Sequence, residues 1–180
     1  VQRINKMYII DFHSHILPEI DDGARNMNSA MSMLEQVREQ KVDYMVATPH
    51  FYASQDRIET FLQRRENAWD AFWNAIQEKG YQNQPHIILG SEVAFFDGIS
   101  RAEDIPELTM RDTNILLVEM PFVPWTDRNI DEIYYLIKER NLRVLIAHLE
   151  RFIWMPGNKK MISKLLELPV SVQINAESLT

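Results

Sequence analysis

The sequence predicts an α/β fold built on parallel strands, and three observations carry that expectation. Short apolar runs alternate with longer segments of helical period. Most of the runs lack apolar–polar alternation, as expected of strands covered on both faces. The residues that follow the runs are histidines and carboxylates, and parallel α/β folds gather their chemistry at the carboxyl ends of their strands.

Taken in order, the run Tyr8–Asp11 leads into Asp11-Phe12-His13-Ser14-His15. An Asn/Ser-rich start then opens a helix over Met27–Gln40, with Met31, Leu34 and Val37 near one face. The second run, Tyr44–Ala47, ends at Thr48-Pro49-His50. A long helix over Ile58–Lys79 carries Phe61, Leu62, Trp69, Phe72, Trp73 and Ile76, and Gly80 stops it. The third run, Ile87–Leu89, reaches Gly90-Ser91-Glu92, and the fourth, Ile115–Val118, reaches Glu119. A helix over Asp127–Arg140 has an acidic start and a basic end, which suit the helix dipole. The fifth run, Val144–Ala147, ends at His148; a short helix over Met161–Leu168 is closed by Pro169. The sixth, Val170–Ile174, ends at Asn175.

Such alternation implies right-handed crossovers between parallel strands. No repeat, linker or low-complexity segment divides the 180 residues, so a single domain over 1–180 is expected, with 1–6 as an N-terminal extension before Met7. Periodicity alone leaves open whether the strands form an open sheet or part of a barrel.

Composition narrows the function. A net charge of −7 leaves no basic stripe to displace counterions, so nucleic acid is not an expected partner. A phosphorylated substrate is still compatible, because bound metal inverts the local field of an acidic site. There is no cysteine. That removes a thiolate nucleophile and suits a reducing, cytoplasmic setting. The apolar run at the N-terminus is too short for a signal peptide or a membrane span, so no membrane insertion is expected. The phosphate-binding glycine motifs, a strand-end Asp-x-Asp pair and the G-x-S-x-G elbow are all absent.

The strand ends hold four of the five histidines. His13 and His15 stand two apart, so on an extended chain they point the same way and could share one metal. One strand-end His or Glu alone would be read as a surface or capping residue. Five consecutive strands ending in His or Glu point to a convergent metal site. Imidazole and carboxylate without sulfur suit Mn²⁺, Fe²⁺ or Zn²⁺, and Glu92 could bridge two ions. The loop Pro18–Arg25 adds carboxylates; Asp21-Asp22-Gly23 is by itself a turn signal. His86 precedes its strand and belongs at the opposite edge in a structural role. Arg151 could clamp phosphate oxygens or simply pair with Glu150. Phe51, Tyr52, Phe122, Trp125, Phe152 and Trp154 also follow strand ends; they could line a pocket for an aromatic ring or serve as core contacts.

The opening segment His13-Ser14-His15-Ile16-Leu17-Pro18, followed by Ile20-Asp21-Asp22-Gly23-Ala24, resembles that of the polymerase-and-histidinol-phosphatase (PHP) superfamily, in its bacterial tyrosine-phosphatase branch of CpsB/CapC type. Ala47-Thr48-Pro49-His50, Gly90-Ser91-Glu92, Leu117-Val118-Glu119, Ala147–Arg151 and Val172–Ala176 are similar to its later motifs, in order. The resemblance implies a distorted TIM-like (β/α)₇ barrel with two or three metal ions. Manganese is the expected ion, with Fe²⁺, Zn²⁺ or Mg²⁺ as alternatives. It implies one ion on His13, His15 and Glu92, a second on Glu92, Glu119 and His148, and a third on Asp22 and His50. It further implies attack of a metal-bound hydroxide on the phosphorus of phosphotyrosine, with Arg151 and Arg25 holding the phosphoryl group. The implied partner is an autophosphorylated bacterial tyrosine kinase, with a tyrosine-rich tail, that regulates capsule or exopolysaccharide synthesis.

Three departures from the family pattern stand out. Leu149 replaces a usual Pro, Glu19 replaces a usual Gly, and the final Ser-Asp-Ala-His strand does not occur. The last implies a domain truncated at its C-terminus, lacking its last strand and two ligands. The competing readings are a phosphoesterase for a small monoester such as histidinol phosphate, and a non-catalytic, metal-stabilised module that binds the kinase.

Overall fold

A computed structural model of the chain describes residues 7–179, so the expected extension over 1–6 lies outside the described residues. In chain order the main elements are β1 (Ile10–Ser14), α1 (Met27–Glu39), β2 (Tyr44–Ala47), β3 (His50–Phe51), α2 (Ile58–Lys79), β4 (His86–Leu89), β5 (Glu92–Ala94), β6 (Ile115–Glu119), α3 (Asp127–Lys138), β7 (Arg143–Ile146), α4 (Asn158–Leu166) and β8 (Ser171–Val172). Every strand pairing is parallel, as the sequence predicts. The strands fall into two open sheets, in orders β1-β2-β4 and β3-β5-β6-β7-β8. Neither closes on itself among the described residues. Each sheet lies in its own compact unit: residues up to Pro49 with Gln63–Leu89 form one, and His50–Leu62 with the chain from Gly90 onward the other.

In the first unit, i and i+4 pairs from two helices cover the sheet. Ala30 and Leu34 of α1, with Phe72 and Ile76 of α2, pack with Met45, Ala47 and Leu89 from the strands. Asn26 caps α1, its side chain accepting the Ser29 N–H at 2.9 Å, a contact worth about 1 kcal/mol. The first strand begins later than its apolar run. Tyr8 and Ile9 precede it, and Asp11-Phe12-His13-Ser14 lie within it. As the sheet edge it alternates between exposed and more buried residues rather than being covered on both faces, which leaves Ile10 and Phe12 exposed. His86 opens β4, at the end away from Leu89, edge-on to Tyr44.

In the second unit, β6 and β7 are the covered strands the sequence predicts. Leu116, Leu117 and Val118 of β6, and Val144, Leu145 and Ile146 of β7, are buried. Helix α3 starts in a capping box between Thr126 and Asn129 and buries Ile130, Ile133 and Leu136. Two short strands escape the sequence reading. After Pro49, which lacks the N–H a ladder needs, pairing resumes at His50–Phe51; after Gly90-Ser91 it resumes at Glu92–Ala94. Helix α4 begins at Asn158 rather than Met161, and β8 spans two exposed residues instead of the five expected over Val170–Ile174. No helix among the described residues is long and apolar enough to cross a membrane.

One buried carboxylate ties α3 to the turn around Ser100. Glu132 on α3 accepts the backbone N–H of Ser100 at 3.0 Å, and Arg140 donates to the carbonyls of Ser100 and Ala102. Burial would raise the Glu132 pKa, but the Ser100 hydrogen bonds and the Arg101 charge outweigh it and hold the group below its ordinary value. Truncation of Glu132 to Ala is expected to destabilise the fold by about 1–3 kcal/mol in urea unfolding, because a buried donor loses its acceptor. A lowered pKa stabilises the fold only above the unfolded value. The advantage of wild type over Glu132→Gln should therefore shrink as pH falls below about 4.3.

Candidate metal centre

In the first unit the end of β1 brings two predicted ligands together. His13 and His15 present their Nε2 atoms to each other at 3.1 Å. A register irregularity between Asp11 and Ser14 lies in the same stretch, a feature that re-aims side chains at functional strand ends. His13 N–H bonds to Asp11 at 3.1 Å, and burial raises the pKa of Asp11 against that bond. The sequence offered Asp22 from the next loop as a ligand. Asp22 is exposed on that loop, yet a carboxylate oxygen of it lies within 4.8 Å of a His15 ring nitrogen, and its neighbour Asp21 has a separate role. Asp21 Oδ2 lies 2.7 Å from His15 Nδ1, and Oδ1 accepts the Gly23 N–H. A carboxylate on the distal imidazole nitrogen fixes the ring and leaves Nε2 for a metal. Arg25 is exposed, just past this loop.

The loop closes through Ala24 N–H to His15 C=O at 3.0 Å and Glu19 N–H to Ala24 C=O at 2.9 Å. Gly23 is required because a Cβ there would sit 2.2 Å from the His15 oxygen. Glu19, where the resembling family has Gly, occupies the left-handed region at φ 60°, which favours Gly.

The second unit holds a tighter cluster. Parallel register sets His50 of β3 beside Glu92 of β5, so both side chains share a face, with His50 Nδ1 3.2 Å from Glu92 Oε2. Glu119 comes from the end of β6. One ligand atom from each of His50, Glu92 and Glu119 lies within 4.8 Å of the others. His148 joins them from beyond β7, its Nε2 2.9 Å from Glu92 and 3.1 Å from Glu119. Glu92 is 1% exposed and His148 2%, so the charges meet almost out of water. Burial alone would keep His148 neutral. Hydrogen bonds to Glu119 and Glu92 and the Glu92 charge overcome it and push the pKa up to about 9, with the charge of Arg151 acting against them.

A field that holds a proton on a buried imidazole also attracts a cation. Two buried carboxylates with two imidazoles and no sulfur fit a divalent ion of the Mn²⁺, Fe²⁺ or Zn²⁺ kind.

His148 is held in a strained conformation, φ 28° and ψ 54°. Gln173, a residue sequence reasoning missed, fixes it. Its side-chain Oε1 accepts the His148 N–H at 2.7 Å, its carbonyl accepts the Leu149 N–H at 3.1 Å, and its own N–H reaches Ile146. The Leu149 bond is one that the family's usual Pro could not make. Arg151 is exposed in the turn directly after His148. Glu150 turns instead to the Asn175 N–H and the Ser178 hydroxyl. Of the aromatics, Tyr52 stacks on His50, Phe152 and Trp125 are buried, Phe51 packs on Phe61, and Phe122 and Trp154 are exposed.

Parallel α/β strands that bring together a buried histidine–carboxylate cluster form an arrangement suited to holding a divalent metal ion. The family model described as capsular polysaccharide synthesis, CpsB/CapC, matches residues 9–180, and the chain belongs to that family. It is similar to tyrosine-protein phosphatase YwqE of Bacillus subtilis, 28% identical over 176 residues that cover 95% of this chain and 66% of the relative. It is similar to tyrosine-protein phosphatase CpsB of Streptococcus pneumoniae, 27% identical, with 93% and 68% covered. The chain thus spans about two thirds of the length of these relatives. The fold matches a chain from the crystal structures of YwqE and CpsB, described as metal-dependent tyrosine phosphatases, with a TM-score of 0.76 at 24% identity over 95% of this chain and 68% of that one.

Glu19→Gly should raise stability in urea unfolding by about 0.5–1 kcal/mol, since relief of a left-handed non-glycine residue outweighs the added unfolded-state entropy. Gly23→Ala should lower it by about 1–3 kcal/mol, since the loop must leave His15.

Proposed function

We propose that this chain is a metal-dependent protein-tyrosine phosphatase domain. The observation that carries the reading is the buried cluster of His50, Glu92, Glu119 and His148 in a chain of the CpsB/CapC family. In this reading His13, His15, Asp22, His50, Glu92, Glu119 and His148 are the metal ligands, and two or three manganese ions occupy them, with iron, zinc or magnesium as alternatives. Divalent ions held there would supply the electrophile and the activated nucleophile for hydrolysis.

The chain's own residues do the rest. Asp21 orients His15 and Gln173 fixes the backbone of His148, so the donors need little reorganisation when they bind. Arg151, exposed beside His148, and Arg25, exposed after the Asp21–Asp22 loop, hold the phosphoryl oxygens, which a guanidinium meets two at a time. Burial of Glu92 and His148 keeps water away from the reacting charges and strengthens each interaction. The substrate is phosphotyrosine on a bacterial tyrosine kinase that acts in capsule or exopolysaccharide synthesis, in the cytoplasm. The relatives named as tyrosine-protein phosphatases support that substrate class. The distorted (β/α)₇ barrel belongs to the same proposal, supported by family membership and by strands that all pair in parallel.

Hydrolysis of a phosphotyrosine peptide by the purified protein should require Mn²⁺ and stop with EDTA. Glu92→Gln should lower kcat/KM by more than about 100-fold, beyond the usual cost of losing an outer-shell partner, with the circular dichroism spectrum retained. Turnover indifferent to chelator would refute the metal-dependent reading. Tight metal binding without turnover would favour a binding module, and faster turnover of histidinol phosphate a small-molecule phosphoesterase.

A further inference from the structure

We propose that Phe122 determines substrate specificity by stacking against the aromatic ring of an aryl phosphate; this rests on the phosphatase reading above. Phe122 follows β6 three residues after Glu119, and its ring lies 6.4 Å from the His148 ring at an interplanar angle of 26°. It also packs on Phe152 at 4.8 Å, yet 56% of the residue remains exposed. A phenyl ring left open beside buried charged groups is poorly explained as a core contact, because the core would cover it.

The loop that carries Phe122 is built to hold it still. Pro121 and Pro124 flank Phe122 and Val123 and restrict the backbone. Trp125, 5% exposed, donates its indole N–H to the Pro121 carbonyl at 3.0 Å, which ties the loop across its own base. Its backbone N–H reaches the buried Asn158 side chain at 2.8 Å, and its ring packs on Phe152 at 5.2 Å. A rigid, half-open aromatic loses little freedom when a ligand covers it. Tyr52 differs, since it is partly buried and stacked on His50 at 5.1 Å, where it steadies that imidazole.

A phosphoryl group drawn to divalent ions held by Glu92, Glu119 and His148 would carry its ester substituent past the His148 ring. An aromatic substituent there meets the face or edge of Phe122 at the centroid separations, about 4.5–7 Å, where ring pairs attract. An alkyl substituent gains only general apolar contact. One ring pair corresponds to roughly a 2- to 12-fold preference.

Phosphonates test this without turnover. Phenylphosphonate and methylphosphonate would each be titrated calorimetrically into the Mn²⁺-loaded protein. Wild type should bind the phenyl compound about 10-fold more tightly. Phe122→Ala and Phe122→Leu should bring that ratio near unity while leaving methylphosphonate affinity within about 2-fold, and Phe122→Tyr should restore it. Leu keeps the bulk that covers Phe152, so a collapse in both variants is not a folding effect. A ratio unchanged in Phe122→Leu, or equal losses for both ligands, would overturn the proposal. Binding of neither phosphonate by wild type would instead overturn the phosphatase reading, and the role of Phe122 with it.

Discussion

The second unit depends on a single constraint: two carboxylates, Glu92 at the start of β5 and Glu119 at the end of the adjacent parallel β6, lie nearly out of water, and each needs a cationic or hydrogen-bonding partner. His50 answers from the neighbouring strand through register alone. His148 answers from beyond β7, where the strand no longer places it, so its backbone must adopt an unusual conformation held by Gln173. The strain at His148, the bond to Gln173 and the raised pKa are three consequences of that one demand. In the first unit the loop that folds back on His15 serves a similar end, with Gly23 chosen for closeness and Asp21 for orientation.

Much of this was legible in the sequence because strand ends are marked by a change of residue type. Apolar runs stop at His50, Glu92, Glu119 and His148, and all four side chains meet. The long helix was legible to the residue, Ile58 to Lys79, since six large apolar side chains repeat at helical spacing before a glycine. Strands of two or three residues were not, because His50–Phe51 and Glu92–Ala94 are too short to show any period. The start of α4 was hidden for a related reason. Asn158 faces inward to bind the Trp125 backbone, and a buried polar residue does not register as part of an apolar face.

Second partners were harder to see than ligands. Asp21 and Asp22 are indistinguishable by type, and only the structure sets Asp21 on the His15 Nδ1 and leaves the exposed Asp22 with a carboxylate oxygen within 4.8 Å of a His15 ring nitrogen. Gln173 lies in a segment read as plain strand, and its value comes from pairing with a backbone N–H 25 residues away. Nothing local encodes such a contact. Two of the three departures from the family pattern become intelligible only with backbone geometry. Glu19 keeps a glycine-like conformation without glycine, and Leu149 donates a hydrogen bond that proline lacks.

The claim that these residues form a metal centre is tested most directly by anomalous diffraction from crystals grown with Mn²⁺, with data collected on both sides of the manganese absorption edge. The account predicts anomalous peaks within coordination distance, about 2.0–2.3 Å, of the side chains of Glu92, Glu119 and His148. Manganese peaks confined to surface carboxylates, with those three side chains bonded only to one another, would contradict it.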